Sequence, residues 1–256
     1  MSTRSDLLAG RVIMVTGGGN GIGRASALRC AEAGAAVAVT DRDLASAEAV
    51  AREIADAGGM AYAFRLDVTL EEEVREAVEK AVSRFGKLDG ACNAAGATFK
   101  GVPMHEVDTE FWDFVHAVNL RGLFLSMKYQ VAAMLDAGAG SVVNIASTAA
   151  IAAIPSGSEY CSAKAGVAGM TRAAAIDYAR SNIRVNAVLP GGTRTAMMEH
   201  AFDLIEELRE MVPEANPMGR LAEPDEMAMA VRWLLSDEAS FVNGVLLPVD
   251  GGLTAQ

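Results

Sequence analysis

The sequence predicts an α/β fold, a doubly wound parallel sheet of about seven strands with helices on both faces. Short apolar, β-rich runs alternate along the chain with longer alanine-rich patterns of helical period. Most of the short runs are continuously apolar rather than alternating, as parallel strands covered on both faces are. A glycine cluster separates the first run from the first helical pattern, where a strand must turn sharply into a helix.

The apolar runs fall at 12–16, 37–40, 61–65, 90–93, 141–145, 184–188 and 245–249. Helical patterns fill the gaps at 21–33, 43–57, 70–85, 109–136, 157–181 and 223–236. Thr69, with Glu72 following, fits a capping box for the third helix. Pro224 stands where a first helical turn tolerates proline. Repeated β-α-β units make right-handed crossovers and wind the sheet both ways. No linker, low-complexity tract or internal repeat interrupts the alternation, so 1–256 reads as one domain. The irregular piece is 190–220, between the sixth strand and the last helix. An insertion of that length implies a task, and it reads as a lid over a substrate.

Lys and Arg number 22 against 33 Asp and Glu, a net charge of −11. That argues against nucleic acid or an anionic membrane as a partner. Cys30, Cys92 and Cys161 have neither a pairing framework nor metal-ligand spacing, which fits a reducing, cytoplasmic setting. The opening Met-Ser-Thr-Arg-Ser-Asp lacks the apolar core of a leader. The longest uncharged run, 137–158, contains Gly138, Gly140, Asn144 and Pro155, and so reads as turn, strand and loop rather than a spanning helix. His105, His116 and His200 show no ligand spacing, and no metal site is expected.

After the first run come Thr16, Gly17, Gly18, Gly19, Asn20, Gly21, Ile22 and Gly23. Glycine lets the backbone turn tightly and lets a pyrophosphate approach, while the helix N-terminus beyond offers unpaired N–H groups. The spacing is T-G-x-x-x-G-x-G, not the strict G-x-G-x-x-G. It resembles the cofactor motif of the short-chain dehydrogenases/reductases, a Rossmann-type family. Asp41 closes the second run. A carboxylate there can accept from adenosine ribose hydroxyls and would repel a 2′-phosphate, favouring NAD over NADP. Arg42 beside it could instead hold a phosphate, and capping of the next helix falls to Asp41 or Asp43. The resemblance implies that Asp67, with Val68, helps hold the adenine. It also implies that the turn Asn93-Ala-Ala-Gly96 steadies the sheet beside the cofactor. On sequence alone that tetrapeptide is a strand-ending turn.

Tyr160 and Lys164 are four apart in a helical pattern and share one helix face. Ser147 ends a strand pattern upstream, and Asn119 lies within the long helical pattern before it. The order Asn119, Ser147, Tyr160, Lys164 resembles the family's catalytic tetrad, and the likeness runs from Val12 to the Asp250-Gly-Gly ending. Alcohol oxidation must remove a proton as hydride leaves carbon, and ketone reduction must supply one. A tyrosine with a reference pKa of about 10 is a poor base until a nearby ammonium lowers it; Lys164 can supply that charge. Ser147 would donate to the substrate oxygen. The resemblance adds that Lys164 bonds the nicotinamide ribose and that Asn119 holds a water linking Lys164 to solvent. Asn119 otherwise reads as a satisfied structural residue.

Pro190 and Gly191, with Thr193 and Thr195, resemble the family segment that binds the nicotinamide carboxamide, and imply transfer of the pro-S hydride. Gly192 is smaller than its counterparts and is expected to loosen the segment. Glu159 reads as a solvated or interface charge. Met197, Met198, Phe202, Leu204, Ile205, Leu208 and Met211 fit one amphipathic helix over 195–217. With no arginine pair for a phosphate, the segment suits a neutral, largely apolar secondary alcohol or ketone, and methionine an adaptable pocket. Two other readings remain: an NADPH-dependent 3-oxoacyl-carrier reductase, opposed by Asp41, and a non-catalytic dinucleotide-sensing protein, opposed by the intact tetrad. The resemblance further implies a homotetramer.

Overall fold

Burial on both faces explains the strand sequences. The computed structural model describes residues 6–255, apart from the Leu204 side chain. Residues 1–5 of the opening segment, and Gln256, lie outside the described ones. Strand β1 (Val12–Thr16) is buried along its whole length. Val12 and Met14 enter one apolar cluster, Ile13 and Val15 the other, as period-two alternation demands of a strand covered on both sides.

Strands β2 (Ala36–Asp41), β3 (Met60–Arg65), β4 (Gly90–Asn93), β5 (Gly140–Ile145), β6 (Ile183–Pro190) and β7 (Leu246–Val249) complete the sheet. Its order is β3-β2-β1-β4-β5-β6-β7, and every pairing is parallel. All seven predicted runs become strands. The order reverses between β1 and β4, so the loops after those strands part at the carboxyl edge and leave a crevice.

One face is covered by α1 (Gly21–Glu32), α2 (Leu44–Asp56) and α9 (Pro224–Leu235). The other is covered by α3 (Glu71–Phe85), α5 (Gly122–Ala137) and α6 (Ser158–Tyr178). Among the described residues no helix is long and apolar enough to cross a membrane. Pro224 does open α9, and Glu223 with Glu226 makes its capping box.

Three local expectations fail. The Thr69–Glu72 box does not form: the N-cap of α3 is Leu70, and the Thr69 hydroxyl donates to Asp67 instead, at 2.7 Å. The aspartate competes successfully for the threonine two residues on. The 109–136 pattern is not one helix. α4 (Thr109–His116) passes through a π-helical turn, Ala117–Arg121, into α5. Such turns insert an extra residue and gather at functional positions, and this one contains buried Asn119. The lid pattern divides into α7 (Ala196–Leu204) and α8 (Leu208–Ala215). Ile205 leaves the helix in an extended conformation at φ −139°, and Pro213 in α8 removes an amide that a longer helix would need.

A buried polar chain crosses the core beneath the crevice. The Asn93 amide donates to Gln130 and to Asn144, each at 3.0 Å, and Gln130 donates back at 2.9 Å. Asn144 in turn donates to Thr171 at 3.0 Å. All four residues are buried and all are satisfied by one another, which fixes β4 and β5 against α5 and α6.

Candidate active site

The sequence-derived site residues sit in or just beyond the carboxyl ends of β1 to β6, apart from Asn119 in the π turn and Tyr160 and Lys164 on α6. The parallel sheet therefore brings them to one edge. At the end of β1 the glycines form a cradle that side chains would fill. A methyl group on Gly23 would lie 2.0 Å from the Gly17 carbonyl oxygen, and one on Gly17 would lie 2.7 Å from the Ala95 amide. Gly17 and Gly21 adopt positive φ, 64° and 52°. Exposed Asn20 is the N-cap of α1 but makes no side-chain cap bond, and no acidic residue stands in the first turn. Those leading amides suit a pyrophosphate. Half-buried Ile22 packs on the core below.

Asp41 ends β2 with both carboxylate oxygens held: Oδ2 accepts the Gly19 amide at 3.0 Å and Oδ1 the Asp43 amide at 3.1 Å. Asp43 caps α2 through the Ala45 amide, which leaves Asp41 facing the cradle. Arg42 is exposed. Asp67 accepts the Thr69 amide and hydroxyl through Oδ1. Burial pushes its carboxyl up, but those bonds and the charges of Arg65 and Arg42 outweigh it and hold the group below the usual carboxylate range. Val68 is buried and packs on Gly122, where a methyl would come within 2.7 Å of it.

Gly96 marks where the catalytic candidates converge. A methyl there would lie 3.2 Å from Asn119 Oδ1, 3.9 Å from Lys164 Nζ and 3.9 Å from Met197 Cε. The Asn119 side chain grips the loop itself, accepting the Ala97 amide at 2.7 Å and donating to the Ala97 carbonyl at 2.9 Å. Its structural role is thus visible. Lys164 Nζ donates to the Ile145 carbonyl at 2.9 Å and lies 5.6 Å from the Tyr160 ring centroid. Ser147 Oγ accepts the Ala149 amide at 3.1 Å, leaving its proton to donate elsewhere. Burial, not Lys164, dominates the titration of Tyr160: it pushes the phenol up, while a hydrogen bond with Ser147 pulls it down. Burial also lowers Lys164 to about 8. Desolvation disfavours phenolate and ammonium alike, and more completely at buried Lys164 than at half-buried Tyr160.

At the end of β6, Pro190 pairs with Val249, and a methyl on Gly191 would meet the Asp250 backbone at 2.9 Å. Thr193 is buried and donates to the Gly191 carbonyl at 3.0 Å. Thr195 caps α7 through the Met198 amide, and its Cγ2 would lie 3.3 Å from a methyl on Gly21. Gly192 does not loosen the segment. A methyl there would strike Val212 at 2.5 Å, so its smallness admits α8. Its carbonyl accepts the Ala222 amide, and Arg194 N–H donates to the Ala222 carbonyl.

Glu159 is not a solvated charge either. It is wholly buried, accepting from the Lys100 amide at 2.7 Å and the Ser158 hydroxyl at 3.3 Å. Sequence reasoning also missed Phe99, whose ring lies 6.1 Å from that of Tyr160. Neither carries a local signal: a glutamate in a first helical turn reads as surface charge. Among the described residues no cluster of His, Cys, Asp or Glu could hold a metal.

A glycine cradle at the switch point of such a sheet, sharing its edge with a half-buried tyrosine and a buried lysine, defines a nicotinamide-dependent oxidoreductase of CH–OH groups. Residues 17–254 match the family profile described as Enoyl-(Acyl carrier protein) reductase. The chain is 46% identical to the 2,5-dichloro-2,5-cyclohexadiene-1,4-diol dehydrogenase of Sphingobium indicum, over 97% of this chain and 98% of that one. It is 43% identical to the cyclohexanol dehydrogenase of an Acinetobacter strain, over 96% of each. The crystal structure of levodione reductase superposes with a TM-score of 0.94 at 36% identity, covering 97% of this chain and 99% of that one. The chain belongs to the short-chain dehydrogenase/reductase family. It is an oxidoreductase that interconverts a secondary alcohol and a ketone by hydride transfer.

Proposed function

We propose that the protein is an NAD-linked dehydrogenase of ring-borne secondary alcohols, with Tyr160 as the acid/base. The observation that carries this reading is the gathering of Tyr160, Lys164 and Ser147 at the sheet edge that also bears the glycine cradle. When bound, the dinucleotide supplies the ring that takes or gives the hydride. Gly17, Asn20, Gly21, Ile22 and Gly23 would hold its pyrophosphate, and Asp67 and Val68 its adenine. Gly96, Pro190, Gly191, Thr193 and Thr195 would hold the nicotinamide half, with Asn93 fixing the strand end between them.

As phenolate, Tyr160 takes the carbinol proton as hydride leaves; as phenol, it returns that proton in reduction. Ser147 donates to the substrate oxygen, stabilising the charge that develops there. Lys164, an ammonium below about pH 8, favours the phenolate and passes the proton onward. Asn119 keeps the Gly96–Ala97 turn in place. The segment 190–220 serves as a lid within one catalytic unit. Exposed Phe114, Phe124 and Ile176 on α4, α5 and α6 support assembly into a homotetramer, and the cytoplasm is the proposed setting.

Asp41 supports NAD over NADP, because a 2′-phosphate would meet a carboxylate that two backbone amides hold in place. The ring substrate is supported by the names of the two relatives above, and by the apolar Phe99, Met197 and Ile205 around the crevice. The test is reduced-nicotinamide absorbance with cyclohexanol and either cofactor. NAD should exceed NADP in kcat/KM by at least about tenfold, and Asp41→Ala should erase most of that margin by weakening NAD. Turnover with NADP alone would overturn the cofactor assignment.

Lys164 also makes a stability prediction. The unfolded lysine titrates at 10.5 and the native one at about 8. Between those values the unfolded chain binds more protons, so stability rises with pH through that window. Below it the full penalty of a buried ammonium applies, about 3 kcal/mol. In Lys164→Met that penalty and that slope are both absent. Urea unfolding of both proteins below pH 8 and near pH 10.5 reads the difference; parallel stability curves would sink the idea.

A further inference from the structure

Glu159 precedes Tyr160 in the chain and is wholly buried. A carboxylate is seldom enclosed without partners, and both of its oxygens have one. It is the second residue of α6, where the helix dipole favours negative charge. The amide it holds belongs to a different element, the loop after β4. Earlier in that loop Asn119 grips both the amide and the carbonyl of Ala97. Only Thr98 and Phe99 stand between these pins, and the Phe99 ring is tilted 58° against that of Tyr160. The Lys100 side chain is paired with Asp108, the N-cap of α4. Beyond it the loop meets the lid, since a methyl on Gly101 would lie 3.0 Å from Ile205.

We propose that Glu159 is a positioning residue for the substrate: by fixing the Lys100 amide it holds Phe99 as an aromatic wall beside Tyr160, shaped for an alicyclic carbinol. The wall faces the group that handles the proton, so it sets which carbinols reach that group in register. A ring presents a broad apolar face to Phe99, whereas a short acyclic alcohol does not, and binding scales with the apolar area removed from water. The inference rests on the dehydrogenase reading above.

The test uses the full chain with NAD, cyclohexanol and 2-butanol. Glu159→Ala should raise KM for cyclohexanol about tenfold while kcat moves less than about threefold. NADH binding and the 2-butanol KM should stay unchanged. Glu159→Gln keeps an oxygen that can accept the Lys100 amide, and should restore KM. Phe99→Ala leaves the buried carboxylate in place and should reproduce the Glu159→Ala effect, which keeps the test open if Glu159→Ala does not fold. Amide hydrogen exchange over 97–101 should quicken in Glu159→Ala and not in Glu159→Gln. Equal losses with both alcohols, a fall in kcat alone, or no rescue by glutamine would overturn the proposal. A parent protein inactive with both alcohols would count against the dehydrogenase reading. Exchange then decides separately, and unchanged protection in Glu159→Ala removes Glu159 from the role.

Discussion

Tyr160→Phe is expected to lower kcat for alcohol oxidation by about 100- to 10,000-fold, the range that a positioned acid/base supplies. Dinucleotide affinity should hardly change, because the phenylalanine ring keeps the volume beside Lys164 and Phe99. The fold should survive as well. The ring and its packing are kept while the hydroxyl's bond with Ser147 is lost, so the unfolding midpoint should be level or slightly lowered. Steady-state rates with NAD, together with an NADH fluorescence titration, separate the two effects. Near-parent turnover with intact binding would take the acid/base role away from Tyr160.

Gly23→Ala should weaken NAD binding by about 100-fold, equivalent to about 2.7 kcal/mol. Two effects oppose each other at this site. Alanine is the better helix former by about 1 kcal/mol, and Gly23 lies in α1. Its methyl, however, would stand 2.0 Å from the Gly17 carbonyl oxygen. A backbone atom cannot swing aside as a side chain can, so the loop itself must move, at a cost of about 1–3 kcal/mol. That movement displaces the amides that would face a pyrophosphate. The same titration and a urea unfolding curve check it, and a variant matching the parent in both affinity and stability would refute the cradle.

The alternation of apolar runs and helical patterns made the sheet legible, because burial on both faces leaves a strand few options but apolar residues. The glycine cradle and the Tyr160–Lys164 pair were legible for a related reason: their spacing along the chain is their spacing in the fold. What escaped depends on contacts between distant segments. The Thr69–Glu72 pattern satisfied a local rule, but Asp67 competed for the same hydroxyl. Gly192 looked like slack until Val212 of α8 packed over it. Glu159 looked like surface charge, since nothing near it in sequence announces the Lys100 amide. No periodicity over 195–217 distinguishes one long helix from two short ones that turn apart at Ile205.

The π turn at Ala117–Arg121 makes the α4–α5 region unusually tolerant of the loss of one residue. Each residue of an α-helix turns the chain by about 100°, so a deletion from regular helix rotates every side chain beyond it by that angle. The π turn already carries one residue more than a regular helix needs. Losing one here would let α4 run straight into α5 with Leu125, Val131 and Met134 still facing the core and Gln130 still opposite Asn93. What such a deletion would remove is the bulge that presents Asn119 to the Ala97 backbone. A single in-frame codon deletion in this stretch should therefore spare the sheet and unseat the loop beside the crevice.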